Sequence, residues 1–168
     1  CIPPDFTEAD ILASRARYET LFAQRYPGKV LGTDISFDAL DADVQEAFAI
    51  YQHEFYLNEF EKARAAFNII YTYVLVPTGE PLHVYWMIDA VREARESDGF
   101  LDLCMDVPEA LEAHRCMWQA WETGKRPSGY DTYDNEYGKT YAYYTPLFIN
   151  GEKIGLIGVE VEIAAVNK

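Results

Sequence analysis

Tyrosine and aspartate side chains between positions 71 and 143 could form a binding site for a small molecule. Tyrosine combines apolar area with a hydroxyl group at its tip, which suits a ligand that must be both enclosed and oriented. Aspartate accepts hydrogen bonds from ammonium or hydroxyl groups. The alternative for each residue is a half-buried sheet tyrosine or a turn-capping aspartate. The predicted ligand-binding residues are Tyr71, Tyr73, Tyr85, Asp89, Tyr130, Asp131, Tyr133, Asp134, Tyr141 and Tyr143.

Sequence patterns of catalysis and metal binding are absent. The three histidines lie far apart, and His53-Glu54 lacks the second histidine of a zinc-peptidase helix. No Gly-x-Ser-x-Gly or phosphate-binding glycine loop occurs. The acidic residues between positions 131 and 136 do not have the EF-hand spacing, which favours a solvated loop over a calcium site. The sequence therefore predicts no enzyme, no cofactor and no metal.

Charge and length limit the class of protein further. The 168 residues include 14 Lys and Arg against 28 Asp and Glu, a net charge of -14 that would repel a nucleic-acid backbone. No stretch approaches the ~20 apolar residues of a membrane span. The length fits a single domain covering residues 1–168.

The cysteines do not form a disulfide framework. Their number is odd, and no CxxC or Cys/His ligand spacing is present among Cys1, Cys104 and Cys116. A buried, free Cys116 is expected, and a Cys104–Cys116 bridge stays open.

Two helices are predicted in the N-terminal region, residues 8–67. Thr7 and Asp10 form a capping box for a helix over 8–25, which Pro27-Gly28 ends. Apolar residues at helical spacing predict a second, longer helix from about Asp38 to Phe67.

The region 68–163 is predicted to contain the sheet and the pocket. Strands are expected over 69–76, 82–89, 140–149 and 154–163, with Asn150-Gly151 as a hairpin turn. Strict alternation would place Tyr71 and Tyr73 on one face, and Tyr85 and Asp89 together on one face of the next strand.

The segments between these strands are predicted to be less regular. Residues 90–106 are charged and expected to be irregular. Asp106 is expected to cap a short helix that has Pro108 in its first turn and ends at Gly124. Residues 130–139 are expected to form an acidic, tyrosine-rich loop.

After the long helix, an ordered set of short motifs resembles a known family. The set is Tyr71-x-Tyr73, Ile88-Asp89, Trp121-x-x-Gly124, Tyr133-Asp134, Gly138, Pro146-Leu147, Asn150-Gly151, and the strand from Ile154 to Val161. The order of these motifs over residues 40–163 resembles that of the extracytoplasmic Cache (PAS-like) sensor domain of bacterial transmembrane receptors. Two departures are Glu160, where the family usually has Asp, and the absence of the Arg-x-Trp-Tyr amino-acid motif of the double-Cache subgroup.

The resemblance implies an α+β fold, a PAS-like central antiparallel sheet of about five strands with a long N-terminal helix on one face. It places a ligand cavity between the other face and residues 90–138. It also implies a membrane-anchored receptor of which this chain is the extracytoplasmic part, sensing a carboxylate or amine metabolite for a histidine kinase, diguanylate cyclase or chemoreceptor. Asp134 matches the position that binds a ligand's amino group in some relatives.

Two alternatives stay open. One is an enzyme with the cone-shaped fold of nuclear-transport-factor-like proteins, which needs a bent sheet and a buried ionisable pair. The other is a domain without a ligand that forms a homodimer through the N-terminal helix.

Overall fold

The computed structural model describes residues 7–77, 83–90, 103–106, 112–135 and 138–166. The chain divides into two compact units, one ending at Asn58 and one beginning at Glu59, within a single long helix. The helices are α1 (Glu8–Arg25), α2 (Ala42–Phe67), α3 (Arg115–Thr123) and α4 (Ile163–Val166), with a 3-10 turn at Phe37–Ala39. The strands are β1 (Tyr71–Pro77), β2 (His83–Asp89), β3 (Leu103–Asp106), β4 (Asp131–Asn135), β5 (Gly138–Ile149) and β6 (Glu152–Glu162).

The first unit is a helical hairpin with an aromatic interior. The predicted cap of α1 is confirmed, because the backbone N–H of Thr7 donates to Asp10 Oδ2 at 2.6 Å. The Tyr18 ring of α1 packs edge-on against Phe48 of α2, with ring centroids 5.0 Å apart. Arg25 binds Asp41 and a neighbouring aspartate near the start of α2. Helical spacing of aromatic residues thus produced a helix pair, as predicted.

One buried carboxyl group lies in this hairpin. Glu54 is 8% exposed, and its side chain is hydrogen-bonded to Ser14. Its Oε2 atom has no partner among the described residues. Burial raises the pKa of Glu54, because removing a carboxylate from water penalises its charged form.

The second unit is built on a six-stranded antiparallel sheet. Its strand order is β3-β2-β1-β6-β5-β4, so the last strand lies between the first hairpin and the β4–β5 hairpin. The end of α2 is set by Asn68, whose φ of 53° is left-handed, while the N–H of Ile69 bonds to the carbonyl of Arg64. The Asn150-Gly151 turn joins β5 to β6 as predicted, with φ of 51° and 83°.

Two segments differ from their predictions. Residues 90–106 were expected to be irregular, but 103–106 pair with β2 as strand β3. The tyrosine loop was expected to be unpaired, but Asp131–Asn135 form β4 beside β5. Thr132 and Tyr133 are residue types that favour a strand, and this preference outweighed that of the acidic residues on either side of them. Among the described residues the sheet consequently has six strands, close to the predicted number of about five.

A β-bulge in β2 changes which residues share a face. Tyr73 pairs with Asp89, whereas Leu75 pairs with Trp86, so β2 carries one extra residue at Met87. Tyr85 and Asp89 therefore point to opposite faces, and their predicted placement on one face is wrong. Strict alternation cannot reveal an inserted residue.

Helix α3 covers one face of the sheet, called the α3 face below. Its buried residues Cys116, Met117 and Trp118 belong to the same hydrophobic cluster as Tyr73 and Tyr144. Cys116 is a free, buried thiol, as expected, and burial raises its pKa. Gly124 ends the helix in a left-handed conformation, also as predicted.

The predicted α+β class, with a long N-terminal helix and a central antiparallel sheet, is confirmed. Two three-stranded meanders, β1–β3 and β4–β6, with the last strand beside the first, give the PAS-like order. Within the described ranges, no helix is both long enough and apolar enough to cross a bilayer.

Candidate functional site

The structure divides the predicted ligand-binding residues between the two faces of the sheet. Cross-strand partners point to the same side, and neighbours along a strand point to opposite sides. The α3 face carries Tyr71, Tyr73, Asp89, Asp131 and Tyr133. The opposite face carries Tyr85, Tyr141 and Tyr143, and the Tyr130 ring contacts the last two. A single small-molecule site cannot contact both groups through the sheet.

A continuous series of hydrogen bonds runs across the α3 face. The Tyr73 hydroxyl donates to Glu160 Oε1 at 2.7 Å and lies 3.2 Å from the Tyr144 hydroxyl. The Tyr144 hydroxyl lies 2.8 Å from that of Tyr133, which lies 2.6 Å from Nδ1 of His114. We call these five residues the tyrosine chain. It links a half-buried histidine to a buried carboxyl group through three phenol groups.

The carboxyl end of the chain is held from a second side. Thr140 Oγ1 donates to Glu160 Oε2 at 2.5 Å, so each carboxyl oxygen of Glu160 accepts one hydroxyl hydrogen bond. Glu160 is 9% exposed, and its burial makes these two bonds necessary.

A glycine on β6 makes room for the Tyr73 ring. A Cβ atom at Gly158 would lie 2.0 Å from Cε2 of Tyr73. Real Cβ atoms do not approach so closely, and hence only glycine fits beneath the ring. The Gly-x-x-Gly pattern of the last strand thus has a packing role at the tyrosine chain.

Asp131 caps helix α3 although it lies beyond the end of the helix in the sequence. Its Oδ1 accepts from the backbone N–H of Cys116 at 2.9 Å, and its Oδ2 accepts from that of Met117 at 3.1 Å. Asp106, the predicted cap, lies at the end of β3 instead, and the helix begins at Arg115. A carboxylate at a helix N-terminus satisfies free N–H groups and opposes the helix dipole. Pro108 lies outside the described residues.

Three tyrosines form an aromatic group on the opposite face. The Tyr130 ring lies 4.4 Å from Tyr141 and 5.5 Å from Tyr143, measured between centroids. Tyr130 is 46% exposed. This group shares no contact with the tyrosine chain because the sheet lies between them.

The remaining predicted residues have mixed positions. Tyr71 packs against the core cluster and Asp89 pairs in register with Tyr73, both half-buried. Tyr85 is 37% exposed, and Asp134 forms an exposed ion pair with Lys139 at 2.6 Å. Asp134, which the family resemblance matched to an amino-group ligand, thus has a cationic partner already.

Burial sets the proton affinities along the tyrosine chain. It raises the pKa of Tyr73, Tyr144 and Tyr133 well above that of free tyrosine, so all three hydroxyls keep their protons near neutral pH. Burial lowers the pKa of His114, and the nearby Asp131 carboxylate opposes this to a lesser extent. The chain therefore consists of neutral groups that end on one carboxylate.

Four residues of this arrangement were not among the predicted site residues: His114, Thr140, Tyr144 and Glu160. Tyr144 could have been found from the sequence, because it lies two residues from Ala142 on a predicted strand and therefore on the same face of the sheet. No three His, Cys, Asp or Glu side chains in the described part of the chain are placed to hold a metal ion. Chemically, the arrangement offers hydrogen bonds and aromatic surface to a bound molecule.

Comparisons with known proteins give structural neighbours only. No family model and no curated protein sequence matches this chain. The fold is similar to the sensory domain of the Campylobacter jejuni chemoreceptor Tlp3 with isoleucine bound, at 13% identity and a TM-score of 0.46. That match covers 96% of this chain and 54% of the other. The ligand-binding domain of the same chemoreceptor in complex with L-valine matches at 12% identity and a TM-score of 0.43, covering 96% and 54%.

The chain thus spans about half the length of the Tlp3 domains it matches. At these identities and TM-scores the similarity assigns neither a fold family nor a ligand. The candidate site is accordingly defined by its own contacts: the tyrosine chain, the Asp131 cap and the α3 helix above them.

Proposed function

We propose that this chain is a non-enzymatic sensor domain that binds a small carboxylate or amine metabolite outside the cytoplasm. In this proposal, the chain is part of a membrane-anchored bacterial receptor. The output module of that receptor is a histidine kinase, a diguanylate cyclase or a chemotaxis module. The proposal extends the Cache resemblance of the sequence. A homodimer through the N-terminal helix would fit the same receptor.

The observation that carries this proposal is the tyrosine chain beneath α3. Polar groups in a protein core cost stability unless each finds a partner, so ordinary cores avoid such clusters. Here three tyrosine hydroxyls, a histidine and a carboxyl group share one sheet face, on the side where the resemblance implies a cavity. A site that must orient a small polar molecule needs such a combination of aromatic surface and placed polar groups.

The proposed ligand contacts lie on the α3 face. They are Tyr71, Tyr73, Asp89 and Tyr133, and Asp131 caps helix α3 on the same face. Tyr85, Tyr130, Tyr141 and Tyr143 on the opposite face, and the ion-paired Asp134, are assigned no direct contact in this proposal.

A route for the signal follows from chain connectivity. Tyr73 belongs to β1, and only three residues lie between the end of α2 and the start of β1. A ligand that binds one arrangement of β1 more tightly than another would shift the population of the two. Any displacement of β1 would then act on α2 through this short connection.

A thermal-shift screen tests the proposal. Amino acids, mono- and dicarboxylates and small amines are added singly to the purified domain. A specific ligand at 100 times its Kd should stabilise the fold by about 2.7 kcal/mol, because it binds only the folded state. If no compound in these classes raises the Tm, the proposal is wrong.

Matched variants then locate the site. Tyr133→Phe removes a hydroxyl on the α3 face, and Tyr141→Phe removes one on the opposite face. We expect Tyr133→Phe to weaken binding about 5- to 10-fold, since one hydrogen bond contributes about 1 kcal/mol. Tyr141→Phe should leave affinity unchanged. The reverse pattern would move the site to the opposite face.

A further inference from the structure

The tyrosine chain contains more hydrogen-bond contacts than phenol protons. The chain has four contacts: His114 to Tyr133, Tyr133 to Tyr144, Tyr144 to Tyr73, and Tyr73 to Glu160. Each contact needs one proton, and each tyrosine supplies a single hydroxyl proton. Three phenol protons cannot fill four contacts. The fourth proton must come from one of the two ends.

The carboxyl end is the poorer source. Glu160 accepts from Thr140 on its other oxygen and from Tyr73 on the first, which is the pattern of a carboxylate with two donors. With Glu160 as the final acceptor, every phenol proton points towards it. The fourth proton must then lie on Nδ1 of His114, which donates to Tyr133.

A neutral histidine has one N–H and one lone pair, on different nitrogens. Burial favours the neutral form of His114. With its proton on Nδ1, the ring carries its lone pair on Nε2. Among the described residues, no hydrogen-bond partner of Nε2 is observed, and the side chain is only half-buried.

We propose that His114 contacts the ligand: its Nδ1–H is committed to the tyrosine chain, and its Nε2 accepts a hydrogen bond from an N–H or O–H group of the bound molecule. This inference rests on the proposed sensor function and adds a residue to its site. Glu160 then acts at a distance, because it orients three phenol groups that fix which histidine nitrogen faces the ligand. The site selects hydrogen-bond donors such as primary ammonium or hydroxyl groups at this position.

The tautomer is measured by NMR without any ligand. Two-bond proton–nitrogen spectra of the ¹⁵N-labelled domain at neutral pH distinguish protonated from unprotonated ring nitrogens, and His114→Gln identifies the His114 signals. We expect the Nδ1–H form to dominate. A dominant Nε2–H form would overturn the inference.

Breaking the chain should reverse the tautomer. In Tyr144→Phe, the Tyr133 proton has no acceptor left in the chain except Nδ1 of His114, so most of the population should change to the Nε2–H form. Thr140→Val is the matched control, because it removes a donor to the same carboxylate without interrupting the chain, and it should leave the tautomer as in wild type. Tyr73→Phe replaces Tyr144→Phe if the latter fails to fold. An unchanged tautomer in the chain variant would overturn the proposed role of Glu160.

A pair of simple cations tests the ligand contact. Methylammonium carries N–H donors and tetramethylammonium carries none, at equal charge. Methylammonium chloride should shift the Nε2 resonance of His114, and tetramethylammonium chloride at the same concentration should not. Equal responses to both salts would overturn the contact. Because these measurements need no metabolite, a failed thermal-shift screen would refute the sensor proposal without being mistaken for failure here.

Discussion

Gly158→Ala should be among the most damaging single-methyl additions in this protein. The new Cβ would lie 2.0 Å from Cε2 of Tyr73 and 2.6 Å from its Cζ. The obstacle is a ring that is 2% exposed and bonded to Glu160, so it cannot swing into solvent. Overpacking of a core costs about 1–3 kcal/mol. Moving the hydroxyl off the carboxylate costs about 1.5–3 kcal/mol more.

The expected loss is therefore about 2.5–6 kcal/mol, against ~5–15 kcal/mol for the stability of a whole domain. Urea denaturation followed by far-UV circular dichroism measures it. Gly129→Ala is the control, because a Cβ there meets its nearest atom, Sγ of Cys116, at 3.4 Å. That variant should lose less than about 1 kcal/mol.

A double-mutant cycle tests the cause. In a Tyr73→Leu background the ring is gone, so Gly158→Ala should cost at least about 1.5 kcal/mol less than in wild type. An equal cost in both backgrounds, or a cost no larger than that of Gly129→Ala, would refute the close packing of the ring on the glycine.

Three further predictions concern charged groups. Asp131→Ala should destabilise by about 1–3 kcal/mol and speed hydrogen exchange of the first amides of α3, whereas Asp134→Ala, in an exposed ion pair, should change stability by less than about 1 kcal/mol. Glu54→Gln should stabilise the protein more at pH 8 than at pH 5, as measured by urea titration. The pKa of Glu54 is raised in the folded state, so its protonated form contributes stability at low pH, and this contribution is lost as pH rises. His114 has a lowered pKa, so its contribution to stability is lost as pH falls below about 6.5. Melting temperatures between pH 7.5 and 5.5 should accordingly fall more steeply in wild type than in His114→Gln, and parallel curves would contradict this.

Local signals in the sequence predicted the elements whose ends are set locally. The capping pair Thr7 and Asp10, Pro27-Gly28 and Asn150-Gly151 each act within a few residues, and the structure has α1 and the last hairpin where they place them. Helical spacing likewise located α2, although its start moved from about Asp38 to Ala42 because a 3-10 turn precedes it.

Features that depend on distant residues could not be predicted in this way. The cap of α3 comes from Asp131, 15 residues beyond Cys116, so the nearby Asp106 was the natural but wrong choice. The bulge at Met87 leaves no mark in the alternation of β2, yet it separates Tyr85 from Asp89. The tyrosine chain joins residues up to 87 positions apart, and its members are recognisable only once the sheet register is known.

The central position of β6 in the sheet affects folding of the chain during its synthesis on the ribosome. Pairing of β6 with both β1 and β5 holds the two hairpins of the sheet together. During synthesis, the hairpin of β1 and β2 leaves the ribosome long before residues up to Glu162 are available. Until then, β1 presents an unpaired edge of apolar and aromatic residues, which is the kind of surface that invites wrong partners. Nascent chains arrested before β6 should therefore be bound by chaperones and cleaved by proteases, and they should become resistant once that strand has emerged.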